Sequence, residues 1–107
     1  MKNIEMTMIE IVSKAGCAKS KYIEAISLAK EYKFGLAYES IEEGSKFLID
    51  AHNIHADLIQ KEAGGEKTNV SLIVLHAEDQ LMSAETFKII ANEFIESYKK
   101  IQKLENK

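Results

Sequence analysis

Three stretches of the chain carry apolar residues at helical spacing. Over residues 3–31, Ile4, Met8, Val12, Ala15, Tyr22, Ile26 and Ala29 follow one another in steps of three, four and seven, which gathers them on one helix face. Thr7 and Glu10 fit a capping box, so this helix starts at Asn3 or at Thr7, and Gly16 is the residue expected to kink or split it. Over residues 36–63, Ala37, Ile41, Gly44, Leu48, Ala51, His55 and Leu58 alternate steps of four and three, the seam of a bundle helix. A third helix is predicted over residues 70–104. Its apolar set is Leu72, Leu75, Met82, Phe87, Ile90, Phe94 and Ile101, and Lys99, Lys100 and Lys103 complement the dipole at its solvated end. The polar run Gly64-Gly65-Glu66-Lys67-Thr68-Asn69 separates the last two helices and ends in residues suited to an N-cap. Tyr32-Lys33-Phe34-Gly35 marks a weaker break.

The predicted fold is all-α, an antiparallel three-helix bundle in a single domain spanning residues 1–107. Helices of about 27 to 35 residues would each be some 40 to 50 Å long. One such layer buries little per residue, and two of the helices are apolar on more than one side. Self-association is the expected remedy.

Composition narrows the function. There are 107 residues and no proline or tryptophan, which favours long helices, and the 46% hydrophobic content excludes disorder. Net charge is −3 and all 14 basic residues are lysine, so the guanidinium fork that reads guanine or clamps phosphate is missing and nucleic-acid binding is not expected. The single cysteine, Cys17, rules out a disulfide framework, and it reads as a small packed residue with no group placed to activate it. No apolar run is long enough to span a membrane, and the N-terminus lacks the apolar stretch of a signal peptide, so a cytoplasmic location is expected. The Gly64-Gly65 connector lacks the strand and lysine-serine context of a nucleotide cradle. The four methionines read as core filler or surface.

The chemically distinctive residue is His76, which follows four aliphatic residues inside the third predicted helix. Imidazole titrates near neutral pH, and its unprotonated nitrogen can attack a phosphoryl donor and carry the group as phosphohistidine. A lone histidine in an apolar helix is more usually a hydrogen-bonded packing residue, so the residues alone leave both readings open. Asp79 lies three positions on, about 60° around the helix, a neighbour that points another way. A carboxylate aimed at a phosphate would repel it, so Asp79 suits orientation of the imidazole or binding of a cation. His52 and His55, spaced i, i+3, could share a metal, but no further ligands are evident, and packing or an interhelix hydrogen bond is the expected role.

The segment Leu75-His76-Ala77-Glu78-Asp79-Gln80-Leu81-Met82-Ser83 resembles the active-site helix of the lactose/cellobiose-type IIA components of the bacterial phosphoenolpyruvate-dependent sugar phosphotransferase system, whose pattern is close to V-H-A-Q-D-H-L-M-T. Ala15-Gly16-Cys17-Ala18-Lys19-Ser20 is similar to the family's A-G-x-A-R-S, and Ala51-His52 and the run from Leu58 to Glu66 match its second helix and loop. The resemblance implies a homotrimer in which His76 accepts a phosphoryl group from HPr and passes it to a cysteine of the IIB component. The sugar, a disaccharide of the lactose, cellobiose or chitobiose type, is phosphorylated as it enters through the membrane IIC component. It also implies that Asp79 points to the three-fold axis, where three copies can hold a divalent cation such as Mg²⁺. Three departures stand out: Gln80 replaces a second histidine, retaining a donor for a phosphoryl oxygen; His55 replaces a glutamine; and Lys19 replaces an arginine. The rival expectations are a non-catalytic trimeric adaptor and a regulatory copy that is phosphorylated but signals.

Overall fold

The computed structural model describes residues 3–67 and 71–107. It consists of α1 (Ile4–Lys30), α2 (Phe34–Ala63) and α3 (Leu72–Glu105), and no strand occurs among the described residues. Side-chain pairs fix the directions. Lys14 meets Asp50 and Lys21 meets Glu43, so α1 and α2 run antiparallel; His52 meets Glu85 and His55 meets Glu78, so α2 and α3 do as well. The resulting up-down-up rod measures 61 × 21 × 18 Å.

Each helix end has a local cause. Asn3 caps α1, its side-chain oxygen accepting from the Met6 N–H at 2.9 Å, so the helix starts at the first of the two candidate caps. Gly16 does not split it; α1 is continuous through that position, with open space around the glycine. Both connectors begin with the same backbone device, in which the residue after the C-cap adopts a left-handed conformation and two N–H groups turn back to the last carbonyls. After α2 that residue is Gly65, and the Gly65 and Glu66 N–H groups donate to Glu62 and Lys61. After α1 it is Tyr32, at φ 62°, and the Tyr32 and Lys33 N–H groups donate to Ala29 and Leu28. A tyrosine is strained there, but its hydroxyl donates to Glu105 at 2.5 Å and its ring lies against Phe34, contacts a glycine cannot make. Ser71 precedes α3 without a side-chain cap bond; Thr68, Asn69 and position 70 of the predicted α3 start lie outside the described residues.

The core is a narrow seam of small residues. Ala15, Ala18, Ala25 and Ala29 of α1 face Ala37, Gly44 and Ala51 of α2 and Ala77, Ala84 and Ala91 of α3, with Met8, Ile11, Tyr22, Leu48, Leu81 and Ile95 filling between them. Small side chains let the backbones approach. At Gly44 a Cβ would lie 2.9 Å from Tyr22 Cε1 and 3.1 Å from the Ala18 carbonyl oxygen. The buried Tyr22 hydroxyl is satisfied by Ser45, and burial raises its pKa.

From Ala37 to Ala51 the periodic set of α2 is its buried seam, as the spacing predicts, while His55 and Leu58 at its end are half-buried. The periodic set of α3 is not its seam. Its buried residues are Val74, Ala77, Leu81, Ala84, Ala91 and Ile95, whereas Leu72 is 84% exposed, Leu75 57% and Met82 63%, and Ile90, Phe94 and Ile101 are also exposed. α3 therefore carries a second, outward apolar stripe. Cys17, expected to be packed, is exposed on the surface of α1.

Candidate functional site

His76 sits in the second turn of α3, exposed to solvent. Among the described residues its ring nitrogens make no hydrogen bond or ion pair, so it is not a satisfied packing histidine. Its position follows from the seam. Val74 and Ala77 turn inward on either side of it, which directs the residue between them outward beside the exposed Leu72 and Leu75.

Asp79 is exposed as well, and no bond joins it to His76, so the carboxylate does not orient the imidazole in this subunit. It belongs to the outward stripe. Leu72, Leu75, Asp79 and Met82 are spaced by three, four and three residues, and all four are exposed. One subunit supplies a single carboxylate here, and no group of three or more histidine, cysteine, aspartate or glutamate side chains able to hold a metal occurs among the described residues. Gln80, half-buried, lies about 40° from His76 around the helix and makes no side-chain hydrogen bond.

His52 and His55 do not share a ligand. Each reaches across to α3: His55 Nε2 lies 2.5 Å from Glu78 Oε1, and His52 Nε2 lies 2.6 Å from Glu85 Oε1. With carboxylates as acceptors, the imidazole Nε2–H donates in both pairs. These are the interhelix bonds the sequence anticipates for the histidines, and Glu78 and Glu85 are the partners that sequence reasoning misses. Their signal was two acids seven residues apart on one flank of α3, opposite two histidines three apart on α2. Lys19 lies over the Phe87 ring, 5.0 Å from its centroid, and so braces α1 against α3.

An exposed, unpaired imidazole on a helix can act as a nucleophile, with no hydrogen-bond partner to displace first. The apolar side chains around it can exclude water when another molecule covers them, strengthening electrostatic interactions at the reacting atoms. Among the described residues no helix is long and apolar enough to cross a membrane.

The chain is similar to known proteins over nearly its whole length. Residues 6–99 match the model of the lactose/cellobiose-specific IIA subunit family of the phosphotransferase system (PTS). The chain is 39% identical to the lichenan-specific phosphotransferase enzyme IIA component of Bacillus subtilis, over 94% of this chain and 91% of the relative. It is 41% identical to the galactose-specific EIIA component of Lactococcus lactis, over 91% and 84% respectively. Among solved structures, the cellobiose-specific enzyme IIA of Bacillus anthracis superposes with a TM-score of 0.90 at 37% identity, covering 95% of this chain and 94% of that one. The chitobiose IIA of Escherichia coli, solved in complex with HPr, superposes with a TM-score of 0.83 at 27% identity, covering 95% and 99%. A match over nearly the whole chain, in sequence and in fold, places the protein in the lactose/cellobiose-specific IIA family of the phosphotransferase system.

Proposed function

We propose that His76 is the phosphoryl acceptor of a cytoplasmic phosphocarrier. An unprotonated ring nitrogen attacks the phosphorus of phospho-HPr in line; the new P–N bond forms as the donor's bond to phosphorus breaks. A thiolate of the IIB component then attacks the same phosphorus, and the His76 nitrogen leaves. The observation that carries this reading is the exposure of His76 with both nitrogens unengaged, on a helix held by a packed seam. Positioning and charge stabilisation suffice for a reversible transfer of this kind, so a small helical surface can perform it. The likeness to a IIA component solved with HPr supports the same donor here. Similarly close relatives are named for lichenan, galactose and cellobiose, which supports sugar uptake through a membrane IIC component without favouring one sugar.

The working assembly in this reading is a homotrimer. Copies meeting along the outward stripe of α3 would cover Leu72, Leu75, Met82 and Ile89, each more than half exposed in the single subunit. Asp79 lies in that stripe, so three carboxylates would converge on the axis, a donor set suited to a hard divalent cation such as Mg²⁺ with water completing its shell.

The test is intact-mass analysis after incubation with phosphoenolpyruvate, enzyme I and HPr, with His76→Ala in parallel. One acid-labile phosphoryl group on the wild type, absent from a folded mutant, is the expected result. A folded wild type that takes up no label, beside a working IIA control, would replace this reading with a non-catalytic adaptor.

A further inference from the structure

The two histidine–glutamate pairs raise a question the phosphocarrier role leaves open: what sets the rotation of α3, and with it the direction of His76? The buried flank of α3 at this level is Val74, Ala77, Leu81 and Ala84. Val74 and Leu81 anchor this flank, while the alanine methyl groups beside them permit close approach but add little resistance to the helix turning about its own axis. The opposite flank, with Leu72, Leu75 and Met82, is uncovered within the subunit. Glu78 and Glu85, seven residues apart, share one flank of α3 and are gripped from α2 by His55 and His52. The inner pair is the better sheltered, the His55 side chain being 19% exposed against 50% for His52.

We infer that His55 and Glu78, backed by His52 and Glu85, are positioning residues for His76; this rests on His76 being the phosphoryl acceptor. Glu78 is two positions beyond His76, about 200° around the helix, so fixing one flank sets the direction of the other. With side chains reaching about 5 to 6 Å from the helix axis, a rotation of about 20° would move the imidazole by about 2 Å. A misplacement of about 1 Å can lower a transfer rate by about a hundredfold. Neither pair touches the reacting atoms; they act through the helix.

The experiment compares Glu78→Leu, Glu78→Gln and the exchange His55→Glu/Glu78→His with the wild type, after circular dichroism establishes that each is helical. Single-turnover acceptance from phospho-HPr gives a saturating rate and a half-saturating donor concentration. Glu78→Leu should lower the saturating rate by about tenfold or more while half-saturation stays nearly constant. The Gln variant, which keeps an acceptor oxygen, and the exchange, which rebuilds the pair, should both recover most of the rate. His55→Leu replaces Glu78→Leu if the latter does not fold. In the unphosphorylated proteins the His76 ring resonances should move in the Leu variant and return in the exchange. An unchanged saturating rate, or His76 resonances that do not move, would overturn the positioning role. If the wild type takes up no phosphoryl group, the phosphocarrier reading fails and the resonances alone decide whether the pair positions His76.

Discussion

The inward and outward faces of α3 differ in a way that inverts the usual expectation. Three of the six residues turned toward α1 and α2 are alanine, at positions 77, 84 and 91, while the face turned to solvent carries Leu72, Leu75, Met82, Ile89, Ile90 and Leu104. Large apolar side chains thus stand outside while half of the inner positions are alanine. An inner seam of small residues lets three long helices pack closely with little core volume, and it leaves the subunit with apolar surface that burial against another molecule would stabilise. The inner face builds the subunit, and the outer face is free to build the assembly proposed above. His76 lies between the two, which suits the phosphoryl acceptor proposed above, a residue to be held by one face and reached beside the other.

This division can be broken first at the outer face. Replacing Met82 and Ile89 together by lysine should convert the proposed trimer into a helical monomer, read by sedimentation; a trimer that survives would remove the stripe from the interface. In the same assay Asp79→Asn should abolish any strengthening of association by Mg²⁺. A smaller but sharper contrast compares Leu81→Ala with Leu75→Ala in urea. Loss of the buried leucine should cost about 2 to 4 kcal/mol at every protein concentration. The outer substitution should cost stability only in proportion to the trimer present, so its effect should grow with protein concentration. At the α1–α2 contact, Gly44→Ala should cost about 1 to 3 kcal/mol at every protein concentration, because the added methyl meets Tyr22 and the Ala18 carbonyl. Equal stability in that variant would mean that the small-residue seam is not under close-packing constraint.

Much of the fold is legible in the sequence because its signals are local. The absence of proline, the two connectors and the 3–4 spacing of Ala37, Ile41, Gly44, Leu48 and Ala51 locate three helices and the face α2 buries. α3 misleads the same reasoning, since two apolar stripes on one helix blur its period and alanine contributes too little hydrophobicity to mark the inner one. Leu72, Leu75 and Met82 therefore read as core when they are surface. Gly16 leaves α1 unbroken because the tertiary packing on both sides of it outweighs a propensity cost of about 1 kcal/mol. For the site, the placement of His76 and Asp79 in different directions follows from helical geometry alone. The partners of His52 and His55 do not, because a bond between helices depends on their axial register, which no single helix encodes.

The spacing of the outer stripe has one more consequence. Leu72, Leu75, Asp79, Met82, Thr86, Ile89 and Glu93 advance by three and four residues in strict alternation, an average of 3.5 per turn. A straight α-helix needs 3.6, so the line these residues draw slips backward around α3 by about 20° every seven residues. Helices that keep such a line in mutual contact must coil around one another with a left-handed twist. The three copies of α3 in the proposed assembly would then form a shallow left-handed rope, with its polar strands at Asp79, Thr86 and Glu93 recurring every seventh residue.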